Sequence, residues 1–289
     1  SFPVFFRDYP LPRAIGLSLF HSVASFNNSG FDVLGNGTSL IPYQKDVFLN
    51  LVTCALVIAG GIGFPVIFEL PQKHFSWKRL SMHTRVVLST TFALLLFGTL
   101  LLKLTENISW LGAFFYSVSA RTAGFSTYNL GDFSTAGLLV VSGLMFIGAS
   151  PASTGGGIKT TTFFVLLSGI YSAATNHSER AFHSAIPKDA FRKASVISML
   201  AVFLVMTASY LMLIFDPQLS LRDVLFEMIS AFSTSGLSTG ITPQLSAPSR
   251  ILSILMMYIG RLGPLTVASL WYFTIGERVR YPEGTIAIG

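Results

Sequence analysis

Long apolar runs alternate along this chain with short polar turns, and the order of the two predicts its elements. Apolar residues fill 47–68, 86–102, 194–215 and 251–276 with few charges. Each run meets or approaches the roughly 20 residues that a helix needs to cross a hydrocarbon core of about 30 Å. Three shorter half-buried segments, 14–26, 109–120 and 221–232, read as helices too short to span, the second capped by Asn107 or Ser109. Each runs straight into a polar turn with one glycine. The turns read Ser25-Phe26-Asn27-Asn28-Ser29-Gly30-Phe31, Ser119-Ala120-Arg121-Thr122-Ala123-Gly124-Phe125 and Ala231-Phe232-Ser233-Thr234-Ser235-Gly236-Leu237. Aligned on the glycine, each has a small polar residue two before it, a small residue one before it and a large apolar residue after it. The unequal spacing excludes a solenoid and predicts one supersecondary unit, copied and diverged.

The segment 136–178 carries a single charge, Lys159. As one helix it would be about 65 Å long, twice the bilayer core. Its middle, Gly148-Ala149-Ser150-Pro151-Ala152-Ser153-Thr154-Gly155-Gly156-Gly157-Ile158-Lys159-Thr160, cannot hold a regular helix. Two crossings joined by a turn and one broken crossing are both possible, and charge separates them. The loop 73–85 carries Lys73, Lys78, Arg79 and Arg85, and the next loop carries Arg180, Lys188, Arg192 and Lys193. Both are expected on the cytoplasmic side, which requires a single broken crossing. The remaining features follow. Gly, Asn and Pro mark 35–43 as loop, and Gly60-Gly61-Ile62-Gly63-Phe64-Pro65 is expected to kink its helix or pack it tightly against a neighbour.

Composition narrows the class. The chain is 51% hydrophobic and 11% charged with 26 Phe, and its mean hydropathy is +0.63; a soluble domain has roughly 25% charged residues. The formal charge of +6 reflects basic cytoplasmic loops and not nucleic-acid binding. One cysteine, Cys54, excludes a disulfide framework. The first residues have neither an initiator Met nor a signal-peptide pattern, so an N-terminal portion is expected to be missing. The fold class is therefore an all-α membrane protein of repeated units: helix out, short re-entrant helix, polar turn, helix back.

Non-helical backbone at membrane depth is tolerated only where protein buries it or water meets it. Three turns approached from one side would converge on an axis, each at the negative end of a short helix. Their carbonyl oxygens can then replace the hydration shell of a cation. Glycine allows the required backbone angles, and Asn28, Thr122 and Thr234 add side-chain order. Ordinary re-entrant caps are the alternative.

These motifs, together with Ser-Thr-Gly-Gly-Gly-Ile-Lys-Thr and Gly260-Arg261-Leu262-Gly263-Pro264, resemble the membrane subunit of the Trk/Ktr/HKT potassium transporter superfamily, most of all its bacterial Ktr branch. The resemblance covers essentially the whole chain and implies four pore-loop units in pseudo-fourfold order around one K⁺ pore. The chain would hold part of the second unit (1–72), the third with a broken inner helix (73–180), and the fourth with a short tail (181–289); the first would be absent. The filter would be Asn28, Ser29 and Gly30, Thr122, Ala123 and Gly124, and Thr234, Ser235 and Gly236, with Ser29 where alanine is expected. An intramembrane gate beneath it would use Gly155, Gly156, Gly157, Lys159 and Arg261. The resemblance further implies no enzymatic activity and no cofactor beyond the transported K⁺. It also implies possible Na⁺ dependence, a homodimer in the bacterial cell membrane, and a cytosolic nucleotide-binding regulatory ring docked on 73–85 and 180–193.

Other readings of the same residues stand beside these. Lys159 could snorkel toward the cytoplasm, and Arg261, costly in hydrocarbon, could satisfy the carbonyls of a broken helix. Gly236-Leu237-Ser238-Thr239-Gly240 fits the G-x-S-x-G nucleophile elbow, which would make the protein a membrane-embedded serine hydrolase using Ser238, but no strand precedes it. The glycine–lysine run is not a phosphate loop, because Ile158 separates Gly157 from Lys159. His21, His74, His83, His177 and His183 lack metal-ligand spacing and are expected in loops or at interfaces.

Overall fold

The computed structural model describes residues 1–263 apart from Asn36, 177–179, His183 and Lys188. A short helix α1 (Phe2–Asp8) leads to α2 (Leu11–Phe26), the first of the helices that end in a glycine turn. Next come α3 (Val47–Gly61), α4 (Phe64–Gln72), the long α5 (Met82–Thr105) and the second short helix α6 (Trp110–Ser119). Helix α7 (Thr135–Phe146) and helix α8 (Thr160–Thr175) flank the glycine-rich loop 147–159. A small hairpin, β1 (Arg180–Ala181) and β2 (Ser184–Ala185), precedes α9 (Ala190–Phe215). The third short helix α10 (Leu221–Ser233) and α11 (Ala247–Leu262) complete the described chain.

Helices α5 and α9 are long and apolar enough to cross a membrane, α5 spanning about 36 Å at the usual rise per residue. Their outward residues remain bare, as in Phe92 (69% exposed) and Met199 (73%), which suits lipid and not water. Each short helix is wedged between neighbours. Helix α6 packs on α5 and on α3 of the preceding unit, and α10 packs on α9, α11 and α7. Polar contacts add to the apolar packing: His21 Nε2 lies 2.8 Å from Thr53 Oγ1, joining α2 to α3. His21 is fully buried, so it is a core residue and not the loop or interface residue expected from sequence. His177 and His183 lie outside the described residues, and no metal-binding cluster occurs among those described.

The run 47–68 is not one straight crossing. It breaks after Gly61, and α4 leaves α3 at 97°. Gly63, at φ +90°, makes the turn, a conformation that other residues adopt only under strain. Gly263, the C-cap of α11, has nearly the same φ, +91°. Beyond Gly263 the expected run to 276 lies outside the described residues.

Within 136–178, α7 and α8 are separated by the loop 147–159. Helices α7 and α8 both pack along α5, and the ring of Trp77 meets that of Phe182 at 5.9 Å, edge to face. The basic loop 73–85 and the hairpin therefore sit at the same end of the bundle.

A further repeat ties helix to helix at the opposite end. The carboxylate of Glu106, at the end of α5, accepts the backbone N–H and hydroxyl of Ser134 at 3.0 and 2.6 Å, where α7 begins. Asp216, at the end of α9, does the same for Ser246 ahead of α11, at 3.1 and 3.0 Å. Hydrogen bonds from Ser249 and Ser246 hold the Asp216 carboxyl below the usual carboxylate range. An anion at a helix N-terminus satisfies free N–H groups and complements the dipole.

Two glycines set how closely the returning helices approach the turns. A Cβ on Gly60 would lie 1.8 Å from the Phe26 carbonyl, and one on Gly260 1.7 Å from that of Phe232. Gly60→Ala and Gly260→Ala are each expected to destabilise the solubilised protein by about 1–3 kcal/mol through forced backbone separation. Gly16→Ala on α2, with open space around it, should be neutral or stabilising by up to about 1 kcal/mol. Thermal unfolding in detergent compares the three.

Candidate functional site

The three glycine turns share one backbone. Asn28, Thr122 and Thr234 have φ of +51°, +80° and +54°, and Gly30, Gly124 and Gly236 have +59°, +80° and +80°. A left-handed residue thus sits at the glycine and again two positions before it in every copy. The intervening N–H groups turn back onto the short helices: Ser29 to Ala24 at 3.0 Å, Ala123 to Ser119 at 2.9 Å and Ser235 to Ser230 at 2.9 Å. The hydroxyl of Ser29 also donates to Ala24, at 3.1 Å. It points away from the turn's free side, so serine replaces alanine here without altering the backbone.

The turns follow one another around an axis. A Cβ on Gly30 would meet the Ala123 carbonyl oxygen at 2.4 Å, and one on Gly124 would meet that of Ser235 at 2.1 Å. Nothing among the described residues lies within 4 Å of the same direction at Gly236. That side opens into a cavity of about 390 Å³ lined by Glu227, Thr234, Gly236, Ser238 and Met257, among others. The second turn is braced from behind: Ser119 Oγ donates to the Phe125 carbonyl at 2.5 Å, and Tyr116 Oη to that of Tyr128 at 2.5 Å.

The loop 147–159 lies against all three turns. With its amide oriented to satisfy its surroundings, Asn28 donates to the Ser25 and Val57 carbonyls and accepts from Thr154 Oγ1 at 3.3 Å. A Cβ on Gly155 would lie 2.0 Å from Thr122 Oγ1, and one on Gly156 2.6 Å from Thr234 Oγ1. Three consecutive loop residues therefore seat on the three polar residues that precede the glycines by two. The loop also borrows backbone from α3: Ser150 N–H donates to Gly61 at 3.0 Å and Thr154 N–H to Gly60 at 3.3 Å. Its two limbs meet at an Ile147–Ile158 bridge, next to Gly157 at φ +70°.

Cations hold the loop's carbonyls. Lys159 Nζ donates to Gly155 at 2.7 Å, and Arg261 Nη1 donates to Thr154. Lys159 therefore turns back onto the loop and does not extend toward the cytoplasm. Arg261 satisfies a carbonyl of the loop between α7 and α8, and not one of its own helix. Sequence reading gave no role to Thr154 or Arg121. Arg121 is buried, with one terminal nitrogen 3.5 Å from the Gly148 carbonyl. Its signal was there to read: it is the single charge between 107 and 131.

Ser238 shows no hydrolytic arrangement. Its hydroxyl donates to Glu227, lies 2.8 Å from Thr242 and accepts the Gly240 N–H. Histidine is not among its hydrogen-bond partners.

Repeated units of long helix, short re-entrant helix, glycine turn and returning helix define a multi-pass membrane protein with three turns about one axis. The chain belongs to the TrkH family of cation transport proteins, whose family model matches residues 12–102 and 79–274. It is 36% identical over 292 residues to the Ktr system potassium uptake protein B of Vibrio alginolyticus, covering 94% of this chain and 62% of that one. It is 34% identical to the potassium/sodium uptake protein NtpJ of Enterococcus hirae, covering 99% and 67%. The crystal structure of the potassium transporter TrkH from Vibrio parahaemolyticus superposes with a TM-score of 0.72 at 18% identity, over 87% of this chain and 57% of that one. The fold is shared. The chain spans about 62% of the length of the first of these relatives.

The seat of the loop has a direct test. Gly155→Ala is expected to unseat the loop, because its Cβ meets Thr122 Oγ1 and also Ala149 Cβ, at 2.6 Å. Amide exchange across 147–159 should accelerate about tenfold for each ~1.4 kcal/mol of lost seating, and Thr122→Ala should restore part of the protection. Equal protection in Gly155→Ala and the unmodified protein would contradict this seating.

Proposed function

We propose that this chain is part of a potassium uptake transporter, with its three glycine turns forming the selectivity filter and the loop 147–159 the gate below it. The observation that carries this reading is the circular order of the turns, with one loop seated under all three. Ring-forming carbonyls suit a dehydrated monovalent cation. In this reading the carbonyls at Asn28, Ser29 and Gly30, Thr122, Ala123 and Gly124, and Thr234, Ser235 and Gly236 line the path. Gly155, Gly156 and Gly157 occlude it, while Lys159 and Arg261 hold the occluding carbonyls in place. Residues 1–72, 73–180 and 181–289 act as successive pore units, and a further unit of the whole protein faces the open side of Gly236.

The activity is transport and not hydrolysis, in keeping with relatives named for potassium uptake. Na⁺ dependence is supported by the relative named for potassium and sodium. A homodimer in the bacterial cell membrane completes the reading. A cytosolic nucleotide-binding ring docks on the basic loop 73–85 and on 180–193, which share one end of the bundle.

Flux of K⁺ and Na⁺ into proteoliposomes of the full-length protein tests the filter. Gly124→Ser and Gly236→Ser should each lower the K⁺/Na⁺ preference, by about tenfold or more if a coordinating carbonyl worth ~1.4 kcal/mol is displaced. A side chain at 124 meets the Ser235 carbonyl, and one at 236 meets a backbone held at φ +80°, which glycine adopts without strain. Unchanged preference in both variants at normal folded yield would refute the filter assignment.

A further inference from the structure

Arg121 stands one residue past the C-cap of α6 and one before Thr122, inside the second glycine turn. Its side chain is enclosed by Val57, Ile58, Gly61 and Ile62 of the second unit and by Thr91 and Leu95 of α5. It forms no ion pair among the described residues, where the ion pairs are Arg7–Asp46, Arg192–Asp189 and Arg222–Asp223. Its Nε has no hydrogen-bond partner, and Thr91 Oγ1, in the same crevice, has none either. Among the described residues, the acceptor its side chain reaches is the Gly148 carbonyl, at 3.5 Å. A guanidinium carries five donors, and a buried charge whose Nε lacks a partner makes its remaining hydrogen bond costly to lose.

That acceptor lies where the loop begins. Gly148 stands two residues after the end of α7. A Cβ there would lie 2.1 Å from the Gly156 carbonyl, so the two limbs of the loop pack backbone to backbone at this point. Any shift of residues 155–157 off the turns must repack Gly148, and with it the carbonyl facing Arg121. In a low-dielectric surrounding, such a shift changes the energy of the buried cation strongly. The cation is covalently next to Thr122, whose backbone is part of the turn.

We propose that Arg121 is a positioning residue that couples the filter to the gate. Its guanidinium ties the second turn to the hinge of loop 147–159, so the loop's arrangement and the turn's geometry change together. The inference rests on the filter and gate reading above. It differs from the roles of Lys159 and Arg261, which hold the loop itself and do not belong to a turn.

The test uses full-length protein in proteoliposomes, with and without the cytosolic partner, and reads K⁺/Na⁺ preference and partner dependence per folded molecule. Arg121→Gln should reduce both by about tenfold, the equivalent of one charge-assisted hydrogen bond, and Arg121→Lys should fall between Gln and the unmodified protein. In a chain shortened across 150–156, Arg121→Gln should have no further effect on partner dependence. Wild-type values of both readouts in Arg121→Gln would overturn the coupling; if that variant does not fold, wild-type values in Arg121→Lys would do so. The gate reading fails separately, if shortening 150–156 alone leaves flux per molecule unchanged.

Discussion

Backbone polar groups that leave helical structure inside a membrane must find partners within the protein, and this structure is arranged around that demand. Three turns and one loop lie at membrane depth without regular structure. The turns send their N–H groups back to the short helices, as Ser29 does to Ala24 and Ser235 to Ser230. The loop sends its own to α3, through Ser150 and Thr154, and receives Lys159 and Arg261 on its carbonyls. The carbonyls of Ala123 and Ser235 lie beside the glycines of the neighbouring turns, Gly30 and Gly124. In water such groups would be ordinary; in hydrocarbon each, left unpaired, costs several kcal/mol. In the proposed filter, a coordinated cation satisfies such carbonyls and is itself the cargo.

Repetition and its breakdown divide the labour. Gly60 and Gly260 let α3 and α11 touch the ends of α2 and α10, and Gly63 and Gly263, just past those helices, share nearly the same φ. Glu106 and Asp216 fasten the far ends in the same manner. The third unit departs from the pattern. Where its neighbours place one glycine just past the helix, it inserts the loop 147–159 and continues as α8. The loop is seated through buried residues, among them Ala149, Ser150 and Ile158, and the second turn beside it is braced by Tyr116 and Ser119. In the proposed reading the turns select and the loop beneath them controls passage.

Much of this was legible in the sequence, for definite reasons. The three turns kept their glycine because their angles admit few other residues, and the short helices kept apolar faces because they are wedged between longer ones. Lys and Arg in the loops 73–85 and 180–193 pointed to one end of the bundle, where the Trp77–Phe182 contact puts both. The break between α3 and α4 was legible in Gly60-Gly61-Ile62-Gly63-Phe64-Pro65, but its 97° angle was not, because glycine and proline mark where a helix breaks and not how far it turns. His21 was misplaced because histidine carries no sign of burial until Thr53 and Phe125 are brought to it. The Glu106 and Asp216 caps join residues about 30 positions apart, beyond any local capping pattern. Arg121 was visible as a lone charge, but its acceptor at Gly148 exists only in the folded chain.

The most direct measurement is the position of a heavy K⁺ analogue in the full-length protein. Anomalous diffraction from crystals grown in Rb⁺ or Tl⁺ locates it without reference to flux. The account predicts a peak on the axis flanked by the carbonyls of Ala123 and Ser235, above residues 154–156, that weakens in Gly124→Ser. A bound ion found only elsewhere, with no peak between the turns, would contradict it.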